Sequence, residues 1–185
     1  MEDYKNHTDE MLMRFLREGD ESAFNEIYRR YSRRLLHFMF RMLGQDEAKA
    51  QDFLQDVFLK LVSHPEKFDL AKNFKTWVFT VAANLCKNHF RAQHKQWVEL
   101  AAAQEPKSSE NTISAFDHQL FKAELSLALN ELIPVYREAF ILRYHEGLSL
   151  NEIAEVTNSP LGTVKSRLHT ATRQLSEKLI HHQPQ

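Results

Sequence analysis

One cysteine (Cys86), four glycines and five prolines are the whole stock of chain-stapling and chain-breaking residues in this sequence. A lone cysteine excludes an internal disulfide framework and fits a reducing compartment. Scarce glycine and proline leave few turn points, so long helices are expected, and a hydrophobic fraction of 43% can supply the cores of one or two domains. No early apolar run is long enough for a signal peptide or a membrane span. A soluble, cytoplasmic protein without membrane insertion is expected. H-E-x-x-H, paired Cys/His spacing and clustered carboxylates are missing too, and His89, His94, His181 and His182 are scattered as surface side chains. No metal, no cofactor and no enzymatic chemistry are expected.

Net charge is also nearly absent. Lys plus Arg (24) almost cancels Asp plus Glu (25). What carries information is where acid is missing. From Leu70 to Val98 there is no Asp or Glu, while Lys72, Lys75, Lys87, Arg91 and Lys95 alternate with Phe74, Trp77, Phe79, Phe90 and Trp97. Phe74, Val78, Val81 and Leu85 form one apolar helical stripe. Thr76, Thr80, Asn84, Lys87, Arg91 and Lys95 fall on another face, with Trp77 at its edge. Such a strip is either a solvated basic face or a grip for phosphates and unstacked bases.

The remaining elements follow from caps and periodicity. Thr8 caps a short helix closed by Gly19. Asp20 caps a longer one carrying Phe24, Ile27, Tyr28, Tyr31, Leu35, Phe38, Met39 and Met42 inward, with Arg29, Arg30, Arg33 and Arg34 read as a solvated face. Asp46 opens a third helix, ended by Pro65, whose Phe53, Leu54, Val57, Phe58 and Leu61 face a core. Asp52, Gln55, Asp56 and Leu59 face outward. Phe68 to Asn73 is a loop with Asn73 as N-cap of the basic helix. Gln104 to Asn111 (QEPKSSEN) reads as a flexible linker. The expected division is residues 1–97, a linker over 98–115, and a second domain over 116–185.

In the second domain, leucines from Leu120 to Leu132 precede Pro134, and a helix over Val135 to His145 stops at Gly147. Ser149 and Glu152 then form a capping box for a short helix. Asn158 suits a tight left-handed turn, and Ser159 with Pro160 opens the last helix. That helix buries Leu161, Val164, Leu168, Ala171 and Leu175, with Gly162, Ser166, His169, Thr170 and Arg173 opposite, flanked by Lys165 and Arg167. No acid occurs from Val156 to Ser176. Short helix, tight turn and longer helix make a helix-turn-helix whose second helix would enter a major groove. The fold class expected is all-α, two helical domains with a helix-turn-helix at the C-terminal side.

FNEIYRRYSRRL, AQDFLQDVFLKL, FKTWVFTVAANLCKNHFR, LIPVYREAFILRYHEGLSLNEIA and SPLGTVKSRLHTATRQL occur in that order between Phe24 and Leu179. Together they resemble the extracytoplasmic-function sigma factors of bacterial RNA polymerase. The resemblance implies that Asp52, Gln55, Asp56 and Leu59 dock on the clamp helices of the polymerase core, with a further contact to its flap. It implies that the loop Asp69 to Asn73, including Lys72, receives a flipped base of the −10 element. Phe74, Lys75, Trp77, Asn84, Lys87, Asn88 and Arg91 would border the non-template strand, Trp77 chiefly as support. Pro160, Thr163, Lys165, Ser166, Arg167, His169, Thr170 and Arg173 would read the −35 duplex, with Ser166, His169, Thr170 and Arg173 on base edges. The implied partners are RNA polymerase core, promoter DNA in duplex and single-stranded form, and an anti-sigma factor. The competing reading is a stand-alone helix-turn-helix regulator that binds a palindromic duplex as a dimer.

Overall fold

A computed structural model of the chain describes residues 4–101 and 117–179, with side chains described except at residues 94–101, 117–120 and 122. Gln104 to Asn111 and the expected second-domain start near Phe116 lie outside the described residues. Helices alone make up the regular structure among the described residues. They are α1 (Asp9–Arg17), α2 (Glu21–Met42), α3 (Glu47–Ser63), α4 (Phe74–Ala101), α5 (Asp117–Glu131), α6 (Pro134–Phe140), α7 (Leu150–Thr157) and α8 (Leu161–Leu179).

Local chemistry sets the boundaries. Thr8 Oγ1 accepts from the Met11 amide, Asp20 Oδ1 from Ser22 and Ala23, and Asp46 Oδ1 from Lys49. Each satisfies an amide that has no carbonyl partner inside its own helix. Asn73 Oδ1 takes both the Thr76 amide at 3.0 Å and its hydroxyl at 3.1 Å. Ser149 and Glu152 form the reciprocal capping box. Between α7 and α8, Asn158 turns the chain at φ 48°.

Three local details differ from the sequence-based expectation. The stretch expected as one helix to His145 is α6 followed by a widened π turn over Ile141–His145, where Glu146 N–H reaches Ile141 O at 3.1 Å. Ser159 Oγ donates to the Thr157 carbonyl and accepts from Arg167 Nη1, so its hydroxyl serves α8 from the side. Leu161 is 38% exposed because it stands on the first turn, before α8 meets its neighbours.

α4 is the central helix. Of the expected stripe, Phe74 and Val78 are fully buried while Val81 and Leu85 are half-buried, and Phe79, Ala82, Ala83 and Cys86 are fully buried on a second face. α1, α2, α3 and α7 all pack against it. Burial pushes the Cys86 thiol up to about 12, an inert core group. Leu148, Ile153 and Val156 from the C-terminal half join the same buried cluster as Leu35, Phe38 and Phe79 from the N-terminal half. A second, smaller cluster of Ala128, Leu129, Leu132, Ala171 and Leu175 ties α5 to α8.

Candidate nucleic-acid interface

The loop between α3 and α4 is anchored at both ends by aromatic rings. Phe68 and Phe74 are fully buried and meet edge to face at 5.3 Å, and Trp77 packs on both at 5.4 and 5.8 Å. Trp77 is half-buried against both rings, at the base of the loop. Between these anchors Asp69, Ala71, Lys72 and Asn73 are exposed, and a turn closes through the Lys72 amide on the Asp69 carbonyl at 2.9 Å.

The polar face of α4 is only partly free. Asn84, Asn88 and Arg91 are exposed. Thr76, expected on that face, is buried at 1% exposure, its hydroxyl turned to Asn73. Lys75 and Lys87 are held by carboxylates of the other half. Lys75 Nζ lies 2.6 Å from Glu152 Oε1, and Lys87 Nζ lies 3.1 Å from Glu138 Oε1. Burial pushes the Glu152 carboxyl up, but its bonds to Lys75 and Ser149 outweigh that and hold it below its ordinary value. Glu138 is raised by burial, with Lys87 offsetting part of the shift.

The arginines of α2 also do more than face solvent. Arg30 pairs with Asp9 and Glu26, both at 2.7 Å, and donates to the carbonyls of Tyr4, Lys5 and His7. Arg34 reaches Glu146 of the C-terminal half at 3.2 Å and its carbonyl at 3.0 Å. Arg137, itself buried, crosses back to donate to the Met42 carbonyl at 2.8 Å.

Pro160, just before α8, and Lys165, Ser166, His169 and Arg173 on it are exposed, while Thr163, Arg167 and Thr170 are half-buried. Val164, Leu168, Ala171 and Leu175 are buried behind them. This face stays open while the two halves are packed together. On α3, Asp52, Gln55, Asp56 and Leu59 are all exposed. Leu59 edges an apolar groove of about 390 Å³ between α2 and α3, lined also by Phe24, Tyr28, Leu54, Phe58 and Val62. The groove was not legible as such: Phe24, Tyr28 and Phe58 carry core periodicity, yet Tyr28 stands 45% exposed beside Val62 at 49%.

Residues 27–96 match the family model for sigma-70 region 2, and residues 122–175 match that for sigma-70 region 4. ECF RNA polymerase sigma factor SigW of Bacillus subtilis is 30% identical over 174 residues, covering 89% of this chain and 92% of that protein. The chain belongs to the extracytoplasmic-function (ECF) sigma factors. This sigma factor is a non-enzymatic initiation factor that directs RNA polymerase to promoter DNA. The ECF sigma-E factor of Haemophilus influenzae is 27% identical over 93% of this chain and 95% of its own. Among solved structures, sigma factor RpoE in complex with the anti-sigma factor NepR from Bartonella quintana matches with TM-score 0.69 at 25% identity, over 86% of this chain and 98% of that one. CnrH, solved with the cytosolic domain of CnrY, shares the fold at TM-score 0.70 and 23% identity, over 95% of this chain and 99% of that one. The region 2 match spans the α3 face, the loop and the α4 strip of this sigma factor; the region 4 match spans the exposed face of α8. No described helix is long and apolar enough to cross a membrane.

Proposed function

We propose that this sigma factor reads the −35 duplex with α8 and holds the opened −10 strand with the Asp69–Asn73 loop and the α4 strip. The observation that supports this most is the loop itself: exposed polar residues projecting between two buried phenylalanines, directly beside a helix that carries no acid as far as Val98. Ser166, His169, Thr170 and Arg173 contact base edges, at about 1–3 kcal/mol of discrimination each. Thr163, Lys165 and Arg167 contact phosphate, which fixes register without reading sequence. Extruding a −10 base onto the loop costs a few kcal/mol of unstacking. Phosphate and hydrogen-bond contacts along Asn84, Lys87, Asn88 and Arg91 offset that cost on the separated strand and not on the duplex. Melting follows from this difference in affinity.

Residues 1–97 carry core binding and the −10 contacts, 98–115 the connection, and 116–185 the −35 contacts. Asp52, Gln55, Asp56 and Leu59, with the apolar groove next to them, receive the clamp helices of the core, and the C-terminal half meets the flap. Lys75 and Lys87 can serve the strand only after leaving Glu152 and Glu138, so the halves separate before the −10 region is engaged. An anti-sigma factor, the kind of partner bound to RpoE in its solved complex, holds this chain inactive. The site of action is the cytoplasm, where core polymerase and chromosome meet.

The test is open-complex formation by reconstituted holoenzyme carrying Lys87→Ala and Arg91→Ala. Loss of about tenfold or more on duplex promoters, equivalent to about 1.4 kcal/mol, with a much smaller loss on pre-melted templates, is expected. Equal losses on both templates would remove the melting assignment.

A further inference from the structure

α1 reaches across to both flanks of the Asp69–Asn73 loop, with side chains that bond main-chain atoms there. On the upstream side, Arg17 Nε donates to the Pro65 carbonyl and Nη2 to the Glu66 carbonyl, each at 3.2 Å; Nη2 also donates to the Phe68 carbonyl. On the downstream side, Glu10 Oε1 accepts the Phe74 amide at 3.1 Å. That amide opens α4 and has no carbonyl partner inside its helix. The two side chains therefore hold the residues immediately before and immediately after the exposed stretch. Neither reaches any side chain of the loop in these bonds.

We infer that Arg17 and Glu10 are positioning residues for −10 recognition: they fix the frame from which the loop presents its base-reading groups. The inference rests on the reading of that loop as the base-receiving element. Its physical basis is geometric. A guanidinium offers five N–H donors in a fixed fork, and three carbonyls gathered on one fork cannot turn independently. The chain from Pro65 to Phe68 is thereby set in direction before it enters the loop. Glu10 sets the direction in which it leaves. Because the held atoms belong to the backbone, these bonds from Arg17 and Glu10 do not depend on which side chains stand at Asp69 and Lys72. Frame and readout are separate devices in this arrangement, and a recognition group displaced by a fraction of an ångström loses its hydrogen-bond geometry.

The experiment uses full-length sigma factor with core polymerase on a promoter library in which the −10 region is randomised, with a second library randomised at −35. Arg17→Met keeps most of the apolar stem and removes the donors; Arg17→Lys restores a single donor nitrogen; Glu10→Ala removes the acceptor. Arg17 is exposed, so the methionine variant is expected to fold, and melting curves check this. Arg17→Met and Glu10→Ala should flatten base preference about fivefold or more at the −10 position that Asp69→Ala or Lys72→Ala also alters. Preference at −35 and affinity for core should stay unchanged, and Arg17→Lys should recover part of the −10 preference. If the loop variants alter −10 preference while Arg17→Met and Glu10→Ala do not, the positioning role is wrong and the loop assignment stands. A uniform loss on all promoters, with preferences intact, likewise overturns it and leaves Arg17 as a fold-stabilising residue. If the loop variants themselves leave −10 preference untouched, the loop reading fails and this inference with it.

Discussion

Glu26 shows how a single side chain decides what an arginine-rich stretch is for. It is 8% exposed and accepts from Arg29 through Nε and Nη2 and from Arg30 through Nε, all at 2.7 Å. The Arg29 bonds first, then those of Arg30, hold its carboxyl down at about 2, against burial that would raise it. Because the folded value lies below the ordinary one, the stability it contributes is present above the ordinary carboxylate range. It is lost as pH falls toward about 2. Glu26→Gln should cost about 1–3 kcal/mol near neutral pH. Urea unfolding followed by helical signal at several pH values should show variant and wild type converging in acid; a pH-independent gap would contradict the pairing. In the sequence, Arg29, Arg30, Arg33 and Arg34 look alike. Their separate fates depend on Asp9, Glu26 and Glu146, and two of those three lie far away in the chain.

At the scale of elements, what was legible was what is local. Thr8, Asp20, Asp46, Asn73 and the Ser149–Glu152 box each act within three residues of themselves, so residue type and spacing suffice to place them. The turn between α7 and α8 is a case that can be measured. Asn158 sits at φ 48°, a conformation a β-branched residue adopts only at a cost of roughly 1–2 kcal/mol. Asn158→Val should lower unfolding free energy by that amount and Asn158→Gly should leave it nearly unchanged, by chemical denaturation. The exposed row on α3 invites a second measurement. Asp52→Lys with Asp56→Lys should abolish co-purification with polymerase core while helicity is kept, because both side chains point to solvent. Retained core binding would refute the docking assignment. The second buried face of α4 was not legible. Cys86 falls beside the apolar stripe and reads from the sequence as a buried, inert thiol, but Phe79, Ala82 and Ala83 read as spare positions until α2 and α7 are packed on the helix, and short-range periodicity cannot announce neighbours contributed from elsewhere in the chain.

Across the whole molecule, the two halves are joined by contacts that no sequence pattern marks. Arg34 and Glu146 are separated by 112 residues, and Arg137 and the Met42 carbonyl by 95. Glu146 is raised by burial, with Arg34 pulling it back down, and Arg34 also stands over the Phe79 ring at 5.4 Å. Arg34→Met leaves that buried carboxylate without its counter-charge. It should weaken the union of the halves by about 1–3 kcal/mol, read as a longer distance between dyes placed on α2 and α8 with helicity unchanged. A carboxyl held above its ordinary value favours the packed form below that value and ceases to as pH rises through the raised one. The variant should therefore be more open at neutral pH than in mild acid. His145, lowered by burial and Arg41, works in the opposite direction, so the comparison is the difference between variant and wild type. An unchanged dye distance at every pH would sink this account of the interface. The groove bordered by Tyr28, Leu59 and Val62, by contrast, is already bare in the packed arrangement. On the docking proposed for this face, capture by core need not wait for the molecule to unfasten. Loading would then come first, and unfastening would follow within the captured complex at a rate independent of how much polymerase is present.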